Sequence, residues 1–254
     1  MKDFGRLIFK KNSRIWNENM INDRKVLAII PARGGSKGIP NKNIIDVCGK
    51  PLIQYTLDEA KNSKYIDEIH ISTDCESIIS VVRELGFSIE RQRPAELAQD
   101  DSATIDVLID VITYYKSIGK DFDVIILLQP TQPLRKAMHI DGALECYIRN
   151  SEQGVASVSL VKQHPILMRK IDKTGQLSNI LNIESTVRRQ DFNDFYIVNG
   201  AIYVNNSHEI FARVSLNDNK VPYVMKDDYE NIDIDEQKDL ERLEQILLGF
   251  KRGI

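Results

Sequence analysis

A glycine-rich stretch, PARGGSKGIPNKN, follows an apolar run and sets the cations Arg33, Lys37 and Lys42 among Gly34, Gly35 and Gly38. Glycines let a backbone come close to a ligand and turn its N–H groups inward, making an anion-binding concavity. Arg33 adds a bidentate donor and Lys37 a point charge, both suited to phosphate oxygens. The stretch lacks the Gly-Lys-Ser/Thr ending of a Walker A loop and does not match GxGxxG. Its grip on phosphate is therefore expected to come mainly from side chains.

Far downstream, Asp233 and Asp235 alternate with Ile232 and Ile234. In an extended segment that spacing puts both carboxylates on one face and the isoleucines on the other. Paired hard oxygens beside a phosphate loop suit Mg²⁺. Asp235 could equally cap a helix beginning near Glu236. Gln129 closes the apolar run VIILL, and its amide can both donate and accept, which suits a sugar or a base edge. Arg93 precedes Pro94, which forces an extended backbone, and Thr104, in QDDSAT, can start a helix. Arg188 and Arg189 are adjacent in TVRRQ, and His164, in QHP, lacks the spacing of a metal motif and reads as structural.

Such groups need a scaffold that brings them to one edge. Val26 to Ile30 reads as a buried parallel strand. A helix opened by Pro51 follows, then a strand from Glu68 to Thr73, a helix from Glu76 to Leu85, a strand from Phe87 to Glu90 and a helix from Ile105 to Tyr115. Val124 to Leu128 is the strongest strand pattern; a helix near Ile140 to Arg149 and a strand near Val155 to Leu160 come next. This β-α rhythm predicts a Rossmann-like, mostly parallel sheet with helices on both faces. Ligands of such sheets bind beyond the carboxyl ends of the strands, where the cation loop emerges. From Lys162 to Asp194 the rhythm breaks, which predicts a small insertion lobe or dimerisation arm before the strand-like YIVNGAIYV. An apolar stripe of Leu240, Leu243, Ile246 and Leu247 marks a last helix from about Glu236 to Leu248. The first 24 residues read as an appended arm on a domain spanning 25–254.

Six stretches in order resemble the cytidylyltransferases that activate sialic acid and related nonulosonic acids. They are the opening PARGGSKGIPNKN, STD at Ser72 to Asp74, RPAELA at Arg93 to Ala98, LLQPTQPLR at Leu127 to Arg135, NGAIYV at Asn199 to Val204, and NIDIDEQKDL at Asn231 to Leu240. The resemblance runs from Val26 to about Leu247 and implies a nucleotide-diphospho-sugar transferase type of sheet. It implies that Arg33, Lys37, Lys42, Asn43, Arg93 and the Thr104 region meet the cytidine nucleotide, although serine is common in the family where Thr104 stands. It implies that Gln129, Asn199 and Tyr203 meet the acyl sugar. Arg189, ten residues before Asn199, would reach in from the lobe, and Asp233 and Asp235 would hold Mg²⁺. Arg33, Lys37, Arg189 and Asp233 are then the expected catalytic set.

The reaction so implied joins CTP and an acylneuraminate into a CMP-sugar with loss of diphosphate. The sugar's anomeric hydroxyl attacks the α-phosphate in line, Arg33 and Lys37 neutralise developing charge, and Mg²⁺ polarises the phosphate. Ile197 and Val198 stand where sialic-acid members carry a polar residue and proline; beside a sugar tail they would welcome a methyl. A CMP-legionaminate or CMP-pseudaminate synthetase is the alternative.

Composition is consistent with this reading. The 254 residues are 42% hydrophobic and 28% charged with a net charge of −3, so neither nucleic acid nor an anionic membrane is an expected partner. Cys48, Cys75 and Cys146 are odd in number and widely spaced, which favours reduced, buried thiols and a cytoplasmic location. No apolar stretch nears the roughly 18 residues of a membrane span, and no signal-peptide pattern opens the chain. A homodimer using the lobe is expected.

Overall fold

The computed structural model describes Ile21, residues 23–181 and residues 193–252. Most of the expected arm, Arg188 and Arg189 lie outside the described residues. Where the arm meets the domain, Ile21 is buried in the core and Arg24 pairs with Glu152 at 2.9 Å.

In chain order the elements begin with β1 (Val26–Pro31), the short ribbon β2 (Asp46–Val47) and β3 (Lys50–Pro51), and α1 (Leu52–Lys61). There follow β4 (Glu68–Ser72), α2 (Glu76–Glu84), α3 (Thr104–Ser117), β5 (Val124–Leu127), α4 (Ala137–Arg149) and β6 (Val155–Leu160). A hairpin of β7 (Arg169–Ile171) and β8 (Leu177–Asn179) leaves the sheet, and β9 (Tyr196–Asn206) returns to it. The chain closes with α5 (Ser207–Phe211), β10 (Val221–Met225) and α6 (Gln237–Arg252).

The central sheet has the order β10-β6-β9-β5-β1-β4. β1 pairs in parallel with β4 and β5, and β10 with β6; the long β9 runs antiparallel between β5 and β6. The sheet is therefore mostly parallel, as expected. Alternation along β1 explains the two layers. Val26, Ala28 and Ile30 join one apolar cluster with Ile53 and Leu57 of α1, Ile78 of α2 and Leu144 of α4. Leu27 and Ile29 face the other way, toward Leu108, Val111 and Ile112 of α3. With both faces covered, the strands read as unbroken apolar runs. A third cluster at the carboxyl edge packs Ile39, Leu134, Ile232 and Ile234 against Leu240 and Leu243 of α6.

The strand expected from Phe87 to Glu90 does not form. Phe87 and Ile89 pack onto the first cluster, and the chain bonds to the end of β4 farther on, where the Arg93 N–H donates to Thr73 O at 2.7 Å. Proline at position 94 has no N–H with which to extend a ladder. The three cysteines are free and half-buried. Among the described residues no helix is long and apolar enough to cross a membrane.

Candidate functional site

The loop leaving β1 is anchored by Ile39 in the third apolar cluster and shaped by polar stitches. The Gly34 N–H donates to Asp74 Oδ1 at 3.0 Å, and the Asn43 amide donates to Arg33 O at 3.0 Å. A Cβ at Gly34 would fall 2.7 Å from Cys75 Cβ. A Cβ at Gly38 would collide with the Asp235 carbonyl oxygen. The glycines thus serve close approach at two defined points, to the Cys75 side chain at Gly34 and to the Asp235 backbone at Gly38.

Lys42 joins the two ends of the chain. Its Nζ donates to Ile234 O at 2.7 Å and to Asp235 Oδ1 at 2.9 Å. The segment carrying the two aspartates is fixed from its other side, since Ile232 and Ile234 are buried and the Ile234 N–H donates to Thr131 O at 2.9 Å. Asp235 does not cap α6. The N–H groups of Asp235 and Glu236 donate to Asp239 Oδ2 at 3.0 and 2.8 Å, so the first turn of the helix is closed from within. Asp233 is accessible along one edge. The protein packed behind it raises its carboxyl above the ordinary value; a hydrogen bond with Thr131 opposes this and the Asp235 charge adds to it.

These elements enclose a cleft of about 590 Å³ beyond the carboxyl ends of β1 and β5. Arg33, Lys37, Lys42, Asn43, Arg93, Thr104, Gln129 and Asp235 all line it. Arg33 Nη1 and Lys37 Nζ both reach Asp100, at 3.0 Å to Oδ1 and 2.7 Å to Oδ2. The Lys37 hydrogen bond and the nearby cations draw the Asp100 carboxyl below its ordinary value. Arg93 is buried, donating through Nε to Ser72 Oγ at 2.9 Å and through Nη2 to Ser72 O at 2.6 Å. Thr104 is exposed and is the first residue of α3, so the helix presents its N-terminal turn, the positive end of its dipole, to the cleft.

A second cavity of about 420 Å³ adjoins the first, and Thr104 and Gln129 line both. Its other walls include Ile105, Leu127, Tyr203, Val214, Leu216 and Asn217. The Tyr203 hydroxyl donates to Asn217 Oδ1 at 2.7 Å; burial raises its pKa, with the Asp233 charge adding.

Asn199 is not brought to either cavity. It is buried, and its amide is spent within the sheet, Oδ1 accepting from Ser157 Oγ and the Ala201 N–H and Nδ2 donating to Ser159 Oγ at 2.9 Å. Ile197 is exposed and lines a separate hollow with Leu160, Met168 and Arg242, while Val198 packs on the second core cluster. Neither is among the residues lining the two cavities at Gln129. Among the described residues no three His, Cys, Asp or Glu side chains gather as a ready metal cage. The residues missed by sequence reasoning are Asp100 and Asp74, each visible only through its partner in the folded chain.

Residues 27–251 match the sequence profile of a family described as cytidylyltransferase. The chain is 35% identical over 218 residues to the N-acylneuraminate cytidylyltransferase of Streptococcus agalactiae serotype V, covering 85% of this chain and 51% of that protein. It is 34% identical over 224 residues to the CMP-N,N'-diacetyllegionaminic acid synthase of Legionella pneumophila, covering 88% of this chain and 96% of that protein. The chain thus spans about half the length of the streptococcal relative and nearly all of the Legionella one. A solved structure of a CMP:2-keto-3-deoxy-manno-octonic acid synthetase complexed with CTP superposes with a TM-score of 0.66 at 17% identity, covering 88% of this chain and 98% of that one.

Proposed function

The chain belongs to the cytidylyltransferase family, with the CMP-sialic acid synthetases, and from that premise we propose that it converts CTP and an N-acylneuraminate into CMP-N-acylneuraminate and diphosphate. The observation that carries this reading is the meeting, through Lys42, of the cation loop with the Asp233 and Asp235 segment at one edge of the sheet. A protein that only bound a nucleotide would have use for the cations and none for the paired acids.

In this reading the triphosphate enters the larger cleft and takes over from Asp100 at Arg33 and Lys37. Asn43 keeps the loop open through the Arg33 carbonyl, and Arg93 holds the β4 edge beside the cytidine. The sugar lies in the second cavity with Gln129 at the junction and Tyr203 in its wall. Its anomeric oxygen attacks the α-phosphorus as the bond to the β-phosphate oxygen breaks; the hydroxyl proton passes to water and diphosphate leaves. Arg33 and Lys37 stabilise the charge that develops, each worth about 3 kcal/mol at the transition state.

Asp233 and Asp235 fit Mg²⁺ by donor chemistry, since the ion asks for only one or two carboxylates alongside substrate phosphates and water. Burial raises the Asp233 carboxyl and the Asp235 charge adds to it, a pairing of acids that a bound cation would favour in its ionised form. When bound, the ion would supply Lewis-acid polarisation of the phosphate and lower the pKa of the attacking hydroxyl. Lys42 competes for Asp235 and must share or release it.

A CMP-legionaminate synthetase is the second reading, favoured by the apolar wall of Leu127, Val214 and Leu216 in the second cavity, which suits a deoxygenated, acylated tail. We also propose a homodimer formed through residues 162–194, with Arg189 delivered to an active site, and a cytoplasmic location that suits three free thiols.

Diphosphate release with CTP and Mg²⁺, measured across N-acetylneuraminate, diacetyllegionaminate and Kdo, tests the reading. N-acetylneuraminate should give the highest kcat/KM. A preference above tenfold for diacetyllegionaminate selects the second reading, and turnover of Kdo alone removes both. Excess EDTA should abolish release; activity that survives it removes the metal assignment.

A further inference from the structure

Arg135 is a buried cation without an obvious purpose. It is 1% exposed, and among the described residues no carboxylate lies within ion-pair distance of it. Burial lowers the guanidinium to about 9, with Glu59 opposing from farther off, so the charge is still carried near neutrality. Its Nε finds no acceptor. Replacing a buried charge of this kind by an apolar side chain of similar volume is commonly neutral or stabilising. Stability is therefore a poor account of an arginine here.

Its geometry offers a better one. Arg135 Nη1 donates to Ala201 O at 2.7 Å and to Gln129 O at 3.3 Å, and Nη2 donates to Thr56 Oγ1 at 2.8 Å. These acceptors belong to β9, to the residue pair beyond β5, and to α1. The β5–β9 pairing ends at Leu127 opposite Tyr203, and β9 turns at Gly200 with φ +76°. Beyond that point Nη1 donates to one carbonyl on each segment, where the ladder no longer pairs them. A Cβ at Gly200 would fall 3.3 Å from Gln129 Oε1, so the glutamine side chain lies close against this bend. Gln132 reinforces it, its Nε2 donating to Asn199 O at 2.6 Å.

We propose that Arg135 is a positioning residue for the sugar, clamping the Gln129 peptide to β9 so that the glutamine amide stands at the junction of the two cavities. The inference rests on the reading that the sugar meets Gln129. The planar fork is what lets one side chain hold acceptors on three elements.

The test is a double-mutant cycle on the full chain with Arg135→Met, Gln129→Ala and the pair, reading kcat/KM for N-acetylneuraminate, KM for CTP and Tm. Arg135→Met should lower the sugar's kcat/KM by about 10- to 100-fold, the scale of a small misplacement. KM for CTP should stay within about threefold, and the double variant should be no worse than the poorer single one. If Arg135→Met does not fold, Arg135→Lys, which keeps the charge and loses the fork, is read the same way. Additive losses, an unchanged sugar constant in the Arg135 variant, or sugar and CTP constants falling together would overturn the inference and leave the sugar assignment of Gln129 intact. An unimpaired Gln129→Ala would remove that assignment and the clamp with it.

Discussion

Arg33 and Lys37 both pair with Asp100, an internal stand-in for phosphate. The bridge is exposed, and exposed ion pairs are weak competitors. Asp100→Asn should therefore tighten CTP binding by about two- to fivefold and steepen its salt dependence, as titration calorimetry at two ionic strengths would read. Weaker binding would mean that Asp100 supports the cations instead of competing for them. Three loop cations among glycines were legible in the sequence because phosphate chemistry calls for those residue types together. Asp100 was not, since QDDSAT has the composition of any solvated turn and its partners lie over 60 residues away. Asn199 came only from the family resemblance of NGAIYV, and the sequence did not show that its amide is bonded to the buried serines of β6.

At the scale of elements, the cation loop and the aspartate segment behave as one joined unit. Gly38 packs directly on the backbone of Asp235, and neither side of that contact is the end of a flexible side chain. Gly38→Ala should force them apart, lowering kcat/KM by about 10- to 100-fold. The stability cost should be about 1–3 kcal/mol, a fall in Tm of no more than about 10 °C for a domain this size. An unchanged kcat/KM would show the two segments to be independent. The sheet itself was readable because strands covered on both faces leave long apolar runs, as in VIILL. Its edge was not. Phe87 and Ile89 are apolar and alternate, yet what they cover is the core beneath α2 rather than a new strand position. Alternation reports burial of one face and leaves open whether a neighbour is there to bond.

For the whole molecule, the β7–β8 hairpin and the neighbouring ends of β6 and β9 leave Leu160, Ile171, Leu177, Tyr196 and Ile197 exposed, with Ile171 at 73% and Leu177 at 71%. Exposed apolar side chains are what the proposed dimer would bury. Ile171→Asp with Leu177→Asp should convert the proposed dimer to a monomer by sedimentation velocity, with circular dichroism unchanged because neither side chain supports the core. A dimer that persists would place the interface elsewhere. The departure of the β7–β8 hairpin from the sheet was legible as lost periodicity, but its exposed apolar side chains were not, because exposure is a property of neighbours. Lys42 and Asp235 are partners across 193 residues. A ribosome adding about 5–20 residues per second releases the cations roughly 10–40 s before the acids. A nascent chain can therefore attract phosphate long before it can hold the aspartate pair.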